Sequence, residues 1–118
     1  MKLKEYSNSV LNKASKLIKN NQVILEWPLT SKQMLAEQNQ WRFMVLYGKD
    51  NGKDDGYYVD KNGHYGNLVY YLMRKGVWTC TCMHYRMNVG NPDEENCKHI
   101  CAAKIRMDKL LKDAKNRV

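Results

Sequence analysis

The stretch Trp78-Thr79-Cys80-Thr81-Cys82 decides the fold of this chain together with Cys97-Lys98-His99, which follows after fourteen intervening residues. Three thiols and one imidazole are ligands that Zn²⁺ binds tetrahedrally, and four such ligands fill a structural site. The sequence therefore predicts one structural zinc ion held by Cys80, Cys82, Cys97 and His99. Because four ligands leave no coordination position open, such a site argues against catalysis at the metal.

The spacing within each ligand pair predicts where the pair lies. Cys80 and Cys82 stand at i and i+2, so on an extended strand or a strand-end turn both side chains leave the same face. Cys97 and His99 share this spacing but precede the segment 100–105, whose composition favours a helix. A helix entrance stabilises a coordinated thiolate through its free amide groups and its dipole. We expect the first pair at the end of a strand and the second at the start of a helix.

These residues resemble the SWIM zinc-finger family, whose pattern is Cys-x-Cys, a variable spacer and then Cys-x-His. The surroundings are similar too, because a hairpin-like stretch leads into Cys80 and an aromatic residue, Tyr85, follows Cys82 by three residues. The second pair runs directly into a predicted helix, as it usually does in SWIM modules. The resemblance covers roughly residues 57–115.

The chain departs from the family pattern between the two pairs. Its spacer is longer than that of the shortest members, and Met83 and His84 stand where a proline and a polar residue often occur. SWIM modules occur with transposases, helicases and partners of recombinase paralogues in DNA repair. The resemblance thus implies a module that acts in DNA or RNA transactions.

Other roles for these side chains stay open at the level of sequence. The four cysteines could be reduced buried thiols, or disulfides in a secreted or hyperthermophilic protein, although Cys-x-Cys pairs on a strand rarely bridge because their Cβ atoms point in parallel. Cys101 lies four residues after Cys97 and could approach the metal, but a buried core thiol is the simpler role. We expect His84 to be a surface residue or to support a ligand from outside the coordination shell.

Length and composition predict one small domain over residues 1–118. The SWIM-like module takes up about 57–115, and a helix and strands occupy 1–56. No apolar run approaches the length of a membrane span, and no secretory signal follows the basic start of the chain. The sequence therefore predicts an intracellular protein, in the cytoplasm or nucleoid, or in a host cell if its source is a virus, that uses neither a membrane nor a small-molecule substrate.

Positive charge gathers towards the C-terminus of the chain. The formal net charge is +8, and residues 97–118 contain seven basic and two acidic side chains. Lysine and arginine gain free energy when they replace counterions at phosphates, so nucleic acid is the expected partner, and a protein partner is plausible. The alternative is that these lysines only solvate the outer face of a helix. The candidate nucleic-acid contacts are Arg74, Lys75, Arg86, Lys98, Lys104, Arg106, Lys109 and Lys112.

Hydrophobic periodicity predicts an α+β fold: an N-terminal helix, a small antiparallel β-meander, the zinc site and a C-terminal basic helix. Apolar residues recur at helical spacing from Leu3 to Ile18, and Asn20-Asn21 ends that helix. This apolar stripe either joins the core or receives a partner helix. The predicted strands are 22–27, 41–47, 56–60, 68–73 and 77–80, with a polar connection over 30–40 and a tight turn at Arg74-Lys75-Gly76.

The sheet is rich in aromatic residues, for which two interpretations are open. They could supply core area, or, interleaved with basic residues, they could form a stacking platform for single-stranded nucleic acid. These aromatic residues are Trp41, Tyr47, Tyr57, Tyr58, Tyr65, Tyr70, Tyr71 and Trp78. No nucleophile with an evident base and no phosphate-binding loop appears in the sequence, so we predict that the protein is not an enzyme. Three functions remain: a zinc-stabilised nucleic-acid module accessory to recombination or repair, a zinc-stabilised protein adaptor such as a partner of a recombinase paralogue, and, less favoured, a hydrolase or nuclease with an open zinc site.

Overall fold

A computed structural model describes residues 6–36, 40–46, 58–59, 65–82 and 97–117. Its architecture is α+β, as predicted: helices pack on one face of an antiparallel sheet. The elements in chain order are α1 (Asn8–Lys19), β1 (Val23–Trp27), α2 (Ser31–Leu35), β2 (Gln40–Leu46), β3 (Tyr58–Val59), β4 (Tyr65–Leu72), β5 (Val77–Cys80) and α3 (Lys98–Asn116).

Helix α1 forms because its caps and its apolar spacing agree. The Ser7 side chain accepts a hydrogen bond from the Val10 amide and caps the N-terminus. Val10, Ala14 and Leu17 are buried at i, i+4 and i+7, as the sequence predicted. The helix ends at Asn20, and Asn21 then adopts a positive φ of 55°. The apolar stripe of α1 therefore belongs to the core rather than to a partner-binding surface.

Strand β4 is the centre of the sheet. Along one edge it pairs with β2, from Gly66 opposite Leu46 to Leu72 opposite Gln40. Its other edge holds β3 at the start of the strand and β5 further along. All pairs are antiparallel, but the order is not that of a plain sequential meander, since β3 does not separate β2 from β4. Because β3 has only two residues, the rest of that edge of β4 is left to β5.

The connections follow local signals in the sequence. The turn before β5 closes with Gly76 at φ 63°, which matches the predicted Arg74-Lys75-Gly76 turn. The connection predicted over 30–40 contains a helix that the prediction missed. Thr30 and Gln33 form a reciprocal capping box at the start of α2, and this Thr-x-x-Gln pattern was visible in the sequence.

The core lies between the sheet and the helices. Trp41, Phe43 and Val45 of β2 point to the same side and are almost fully buried there. Residues 99–103 of α3 are buried around the whole helix circumference, so the first half of α3 is central to the fold. Within the parts of the chain that the structure describes, no helix is both long and apolar enough to cross a membrane.

Candidate metal centre

Four side chains from the end of β5 and the start of α3 meet in one buried cluster. Cys80, Cys82, Cys97 and His99 place one ligand atom each within 4.8 Å of every other. The Cys80 Sγ lies 3.6 Å from His99 Nδ1, and the Cys97 Sγ lies 3.9 Å from the same nitrogen. The Cys82 and Cys97 sulfurs are 3.8 Å apart. The structure thus gathers the four residues that the sequence proposed as ligands and positions them to hold one metal ion.

Two of these separations fit a tetrahedral ion. With Zn–S bonds of about 2.3 Å and Zn–N bonds of about 2.0 Å, a regular tetrahedron has S···S edges of about 3.8 Å and S···N edges of about 3.5 Å. The Cys82–Cys97 and Cys80–His99 distances agree with these edges. A disulfide needs sulfurs about 2.05 Å apart, and all four cysteines are free. The disulfide alternative is therefore wrong for this fold.

Backbone geometry prepares the sulfurs to carry negative charge. The Cys82 amide donates to the Cys80 Sγ at 3.5 Å, and the Ile100 amide donates to the Cys97 Sγ at 3.5 Å. Cys97 is the N-cap residue of α3, so its sulfur accepts one of the amide groups left free at a helix start. Each pair therefore lies where its spacing predicted, the first at the end of a strand and the second at a helix entrance.

Thr81 lies between Cys80 and Cys82 and connects this first ligand pair to β4 through hydrogen bonds. Its backbone amide donates to the Leu68 carbonyl at 3.1 Å, and its hydroxyl accepts from the Leu68 amide at 3.0 Å. The same hydroxyl donates to Oδ1 of the buried Asn67 at 3.2 Å. No sequence pattern predicts a role for Thr81 or Asn67, because only the strand pairing shows that they are neighbours.

Without a metal, the thiols of Cys80 and Cys97 hold their protons, because the pKa of each is raised. Hydrogen bonds with Cys82 and Cys97 raise the pKa of Cys80 far above its ordinary value, and burial adds to the rise. The pKa of Cys97 is raised to about 12; the hydrogen bond from Cys80 lowers it, but the hydrogen bond with Cys82 and burial outweigh that effect. Because metal ligands are thiolates, a metal entering this cluster must displace protons.

Cys101 does not belong to the cluster. It is completely buried on α3 among core residues, and burial raises its pKa to about 11. Its place in the fold is that of a small apolar side chain, which was the simpler of the two roles considered. His84, the other possible competitor, lies outside the described residues.

The predicted nucleic-acid contacts are not equally accessible. Lys109 and Lys112 on α3 are exposed, as are Arg74 and Lys75 in the turn before β5. Lys98, Lys104 and Arg106 are only half-exposed because the first half of α3 is packed into the core. Arg86 lies outside the described residues.

Lys104 has a packing role that the charge pattern did not reveal. Its Nζ lies 5.1 Å from the centre of the Tyr6 ring and 5.8 Å from that of Trp78. A lysine ammonium within about 6 Å of an aromatic ring is attracted by the ring face. Lys104 therefore joins the segment before α1 to the sheet.

The buried aromatic side chains serve the core. Trp41 and Phe43 are 0% exposed and Trp78 is 4% exposed, so neither tryptophan can belong to a stacking platform. Tyr65 is 51% exposed and Tyr70 is half-buried, while Tyr47 and Tyr57 lie outside the described residues. Tyr71 stacks on Trp78 with 4.5 Å between ring centres. These rings cannot lie against unpaired bases, because they already lie against one another and the helices.

Comparisons with protein-family models, with curated protein sequences and with solved structures each gave no match for this chain. The resemblance to SWIM modules therefore depends on the ligand pattern and its surroundings alone. What the structure supports is a buried cluster of three cysteines and a histidine that can bind a metal, as in zinc fingers.

Proposed function

We propose that the metal is one structural zinc ion. Thiolate and imidazole ligands select zinc over Mg²⁺ and Ca²⁺, which prefer oxygen ligands. Two separations between the ligand atoms match the edges of a zinc tetrahedron, and all four atoms lie within 4.8 Å of one another. Zinc would join the end of β5 to the start of α3, and the two ligand pairs are separated by the fourteen residues 83–96 of the sequence.

The zinc site would be structural rather than catalytic. Three sulfurs and one nitrogen complete its coordination, and all four side chains are buried, so water has no open position to occupy. In a small domain, metal binding supplies a large share of the folding free energy. We therefore propose a binding module without enzymatic activity. A hydrolase or nuclease would require one of the four ligands to leave the metal.

We propose further that this SWIM-type module acts in DNA or RNA transactions, as an accessory in recombination or repair. The observation that supports this proposal is the net positive charge of the chain. The chain contains twenty lysines and arginines and twelve acidic residues, which gives a formal net charge of +8. Within the described ranges, which hold fourteen of the basic and three of the acidic residues, the Glu26 carboxylate pairs with Arg42 at 3.1 Å. A protein with this excess of positive charge attracts polyanions.

The test is a salt titration. Zinc-loaded protein is mixed with fluorescein-labelled single-stranded and duplex oligonucleotides, and the dissociation constant is followed by anisotropy as salt rises. A steep fall in affinity with salt supports phosphate binding, since each neutralised phosphate adds about 0.9 to the slope for duplex DNA. Absence of binding at low salt would contradict the proposed function.

A protein adaptor is the second candidate, and one observation favours it. Trp27, Leu29 and Leu35 are 38%, 65% and 38% exposed, and they lie close together in sequence around the cis Trp27–Pro28 bond and α2. Exposed apolar residues near one another are typical of protein contacts. Binding through such a surface depends little on salt, so the same titration separates the two functions if a partner is found.

A further inference from the structure

The outer face of α1 carries a row of lysines that lies outside both the ligand motif and the basic C-terminal segment. We define this face by its exposed residues Ser9, Asn12, Lys13, Ser15, Lys16 and Lys19. The lysines follow one another at intervals of three residues, so they lie on one side of the helix and span about 9 Å along its axis. Val10, Ala14 and Leu17 occupy the opposite side and fix it to the core.

The composition of this face differs from that of an ordinary solvated helix. Every exposed residue of α1 is a serine, an asparagine or a lysine, and none is acidic. Solvated helices usually mix charges of both signs, and an acidic residue in the first turn would stabilise the helix dipole. The first turn nevertheless holds no acid. The dipole accounts for Lys16 and Lys19 near the C-terminal end, but it accounts neither for Lys13 nor for the missing acids.

Helix α3 lacks this one-sided charge. Its second half includes the half-buried Asp108 and the exposed Asp113, which stand four residues before Lys112 and the C-cap residue Arg117. Opposite charges at i and i+4 are neighbours on a helix and partly neutralise one another. The lysines of the α1 face therefore have fewer acidic neighbours on their own helix than those of α3, although the charge pattern of the sequence favoured α3.

We infer that the outer face of α1 is the main contact for the phosphate backbone of a nucleic-acid duplex, an inference that rests on the proposed function. Lysine, serine and asparagine are among the side chains that bind phosphates and sugars without reading bases. A duplex carries one charge per about 1.7 Å of its axis, so a rigid row of three lysines meets several phosphates at once.

A duplex fits this face better than the other polyanions. Single strands are usually held by stacked aromatic residues, and none of the exposed residues of α1 is aromatic. An anionic membrane would be bound by a helix that inserts its apolar side, but the apolar residues of α1 face the core. The recognition is therefore of backbone charge, without a preference for base sequence.

The test compares two matched variants of the zinc-loaded full chain. The first changes Lys13, Lys16 and Lys19 to Gln, and the second changes Lys109, Lys112 and Lys115 to Gln. Both remove three exposed charges at the same helical spacing. Affinity for a labelled duplex is measured by anisotropy over a range of salt concentrations, and circular dichroism on heating verifies that both variants keep the wild-type fold.

We expect the α1 variant to lower the salt slope by roughly 2 to 3 and the affinity at about 0.1 M salt by roughly a hundredfold. The α3 variant should lose less than tenfold, and the variant with Arg at positions 13, 16 and 19 should bind as the wild type does. If both Gln variants lose affinity equally, or only the α3 variant does, the inference is wrong while the proposed function stands.

Two further outcomes separate the ligand classes. Tighter binding of single strands than of duplexes, lost equally in the α1 variant, would overturn the choice of a duplex. If the wild type binds no nucleic acid, the proposed function and this inference are both wrong. Vesicles containing phosphatidylserine then show whether the α1 lysines bind a lipid surface.

Discussion

The Sγ atom of Cys80 lies 3.6 Å from Nδ1 of His99, although the two residues are 19 positions apart in the chain. The contact joins the last residue of β5 to the first turn of α3, and the other two candidate ligands lie beside these elements, Cys82 just after β5 and Cys97 as the N-cap of α3. It also identifies the nitrogen that faces the sulfurs. Nδ1 is therefore the atom of His99 that would bind the metal, and its Nε2 would carry the ring proton.

The two kinds of buried cysteine should respond differently to truncation. Cys80→Ala removes a ligand, so we expect the variant to lose its zinc and the packing between β5 and α3. Cys101→Ala is a matched control, because Cys101 is equally buried but not a ligand. It should keep one zinc and lose only about 1–2 kcal/mol of unfolding free energy. Elemental analysis and thermal melts of both variants measure the difference; equal zinc content would contradict the assignment of Cys80.

Thr81 should tune the metal affinity without touching the metal. Its hydroxyl bridges the Leu68 amide and Asn67, and so it holds the turn between Cys80 and Cys82. Thr81→Val removes this bridge, and we expect zinc affinity to fall by about tenfold or more, as it does when supporting hydrogen bonds of metal sites are lost. Thr81→Ser keeps the hydroxyl and should bind almost normally. Competition with a coloured chelator measures both constants, and identical values would show that the bridge has no effect.

Gly66 and Gly76, the two glycines among the described residues, differ in what a side chain would contact. A Cβ at Gly66 would overlap the backbone carbonyl of Val45 on the neighbouring strand. We expect Gly66→Ala to separate β2 from β4 and to cost several kcal/mol, as overpacking between backbones does. At Gly76 there is open space, and only its positive φ opposes alanine, so Gly76→Ala should cost about 1 kcal/mol. Urea denaturation of both variants tests the order, and the reverse order would contradict the strand pairing.

Alkaline pH should weaken the fold through Cys101. Burial raises its pKa from 9.0 to about 11, so the folded state holds this proton more tightly than the unfolded state does. The stabilisation is complete below pH 9.0 and is lost as pH rises through about 11. A shift of this size corresponds to about 2–3 kcal/mol.

The check compares wild type with Cys101→Ala, both loaded with zinc, by urea denaturation at intervals from neutral to alkaline pH. Other titrations contribute equally to both proteins, so the difference between the two unfolding free energies isolates the Cys101 thiol. We expect the advantage of the wild type to shrink as pH rises. A difference that stays constant with pH would show that Cys101 is not protected from ionisation.

Much of this fold follows from local sequence signals. The strands, the N-terminal helix and the placement of both ligand pairs were predicted, because period-two and helical patterns report burial directly. Helix α2 was missed, since a five-residue helix gives almost no periodicity, although the capping box at Thr30 was visible. The position of β4 beside β2, with β3 on the far edge of β4, depends on pairing between distant residues such as Leu46 and Gly66, which no local pattern encodes.

The site was predicted more completely than the surface. Ligand types and spacing are chemical constraints, so Cys80, Cys82, Cys97 and His99 could be selected from sequence. The sequence does not show which basic side chains are accessible to solvent. The charge pattern favoured Lys104 and Arg106, but the first half of α3 is packed into the core. It did not select the lysines of α1, which are exposed beside the buried apolar stripe of the same helix.

The most direct test of the account is the metal content of the freshly purified protein, measured by elemental analysis together with its thermal stability before and after chelation. The account predicts one zinc per chain and a large loss of thermal stability when the zinc is removed. A folded protein that contains no zinc, and whose melting is unchanged by a chelator, would contradict it.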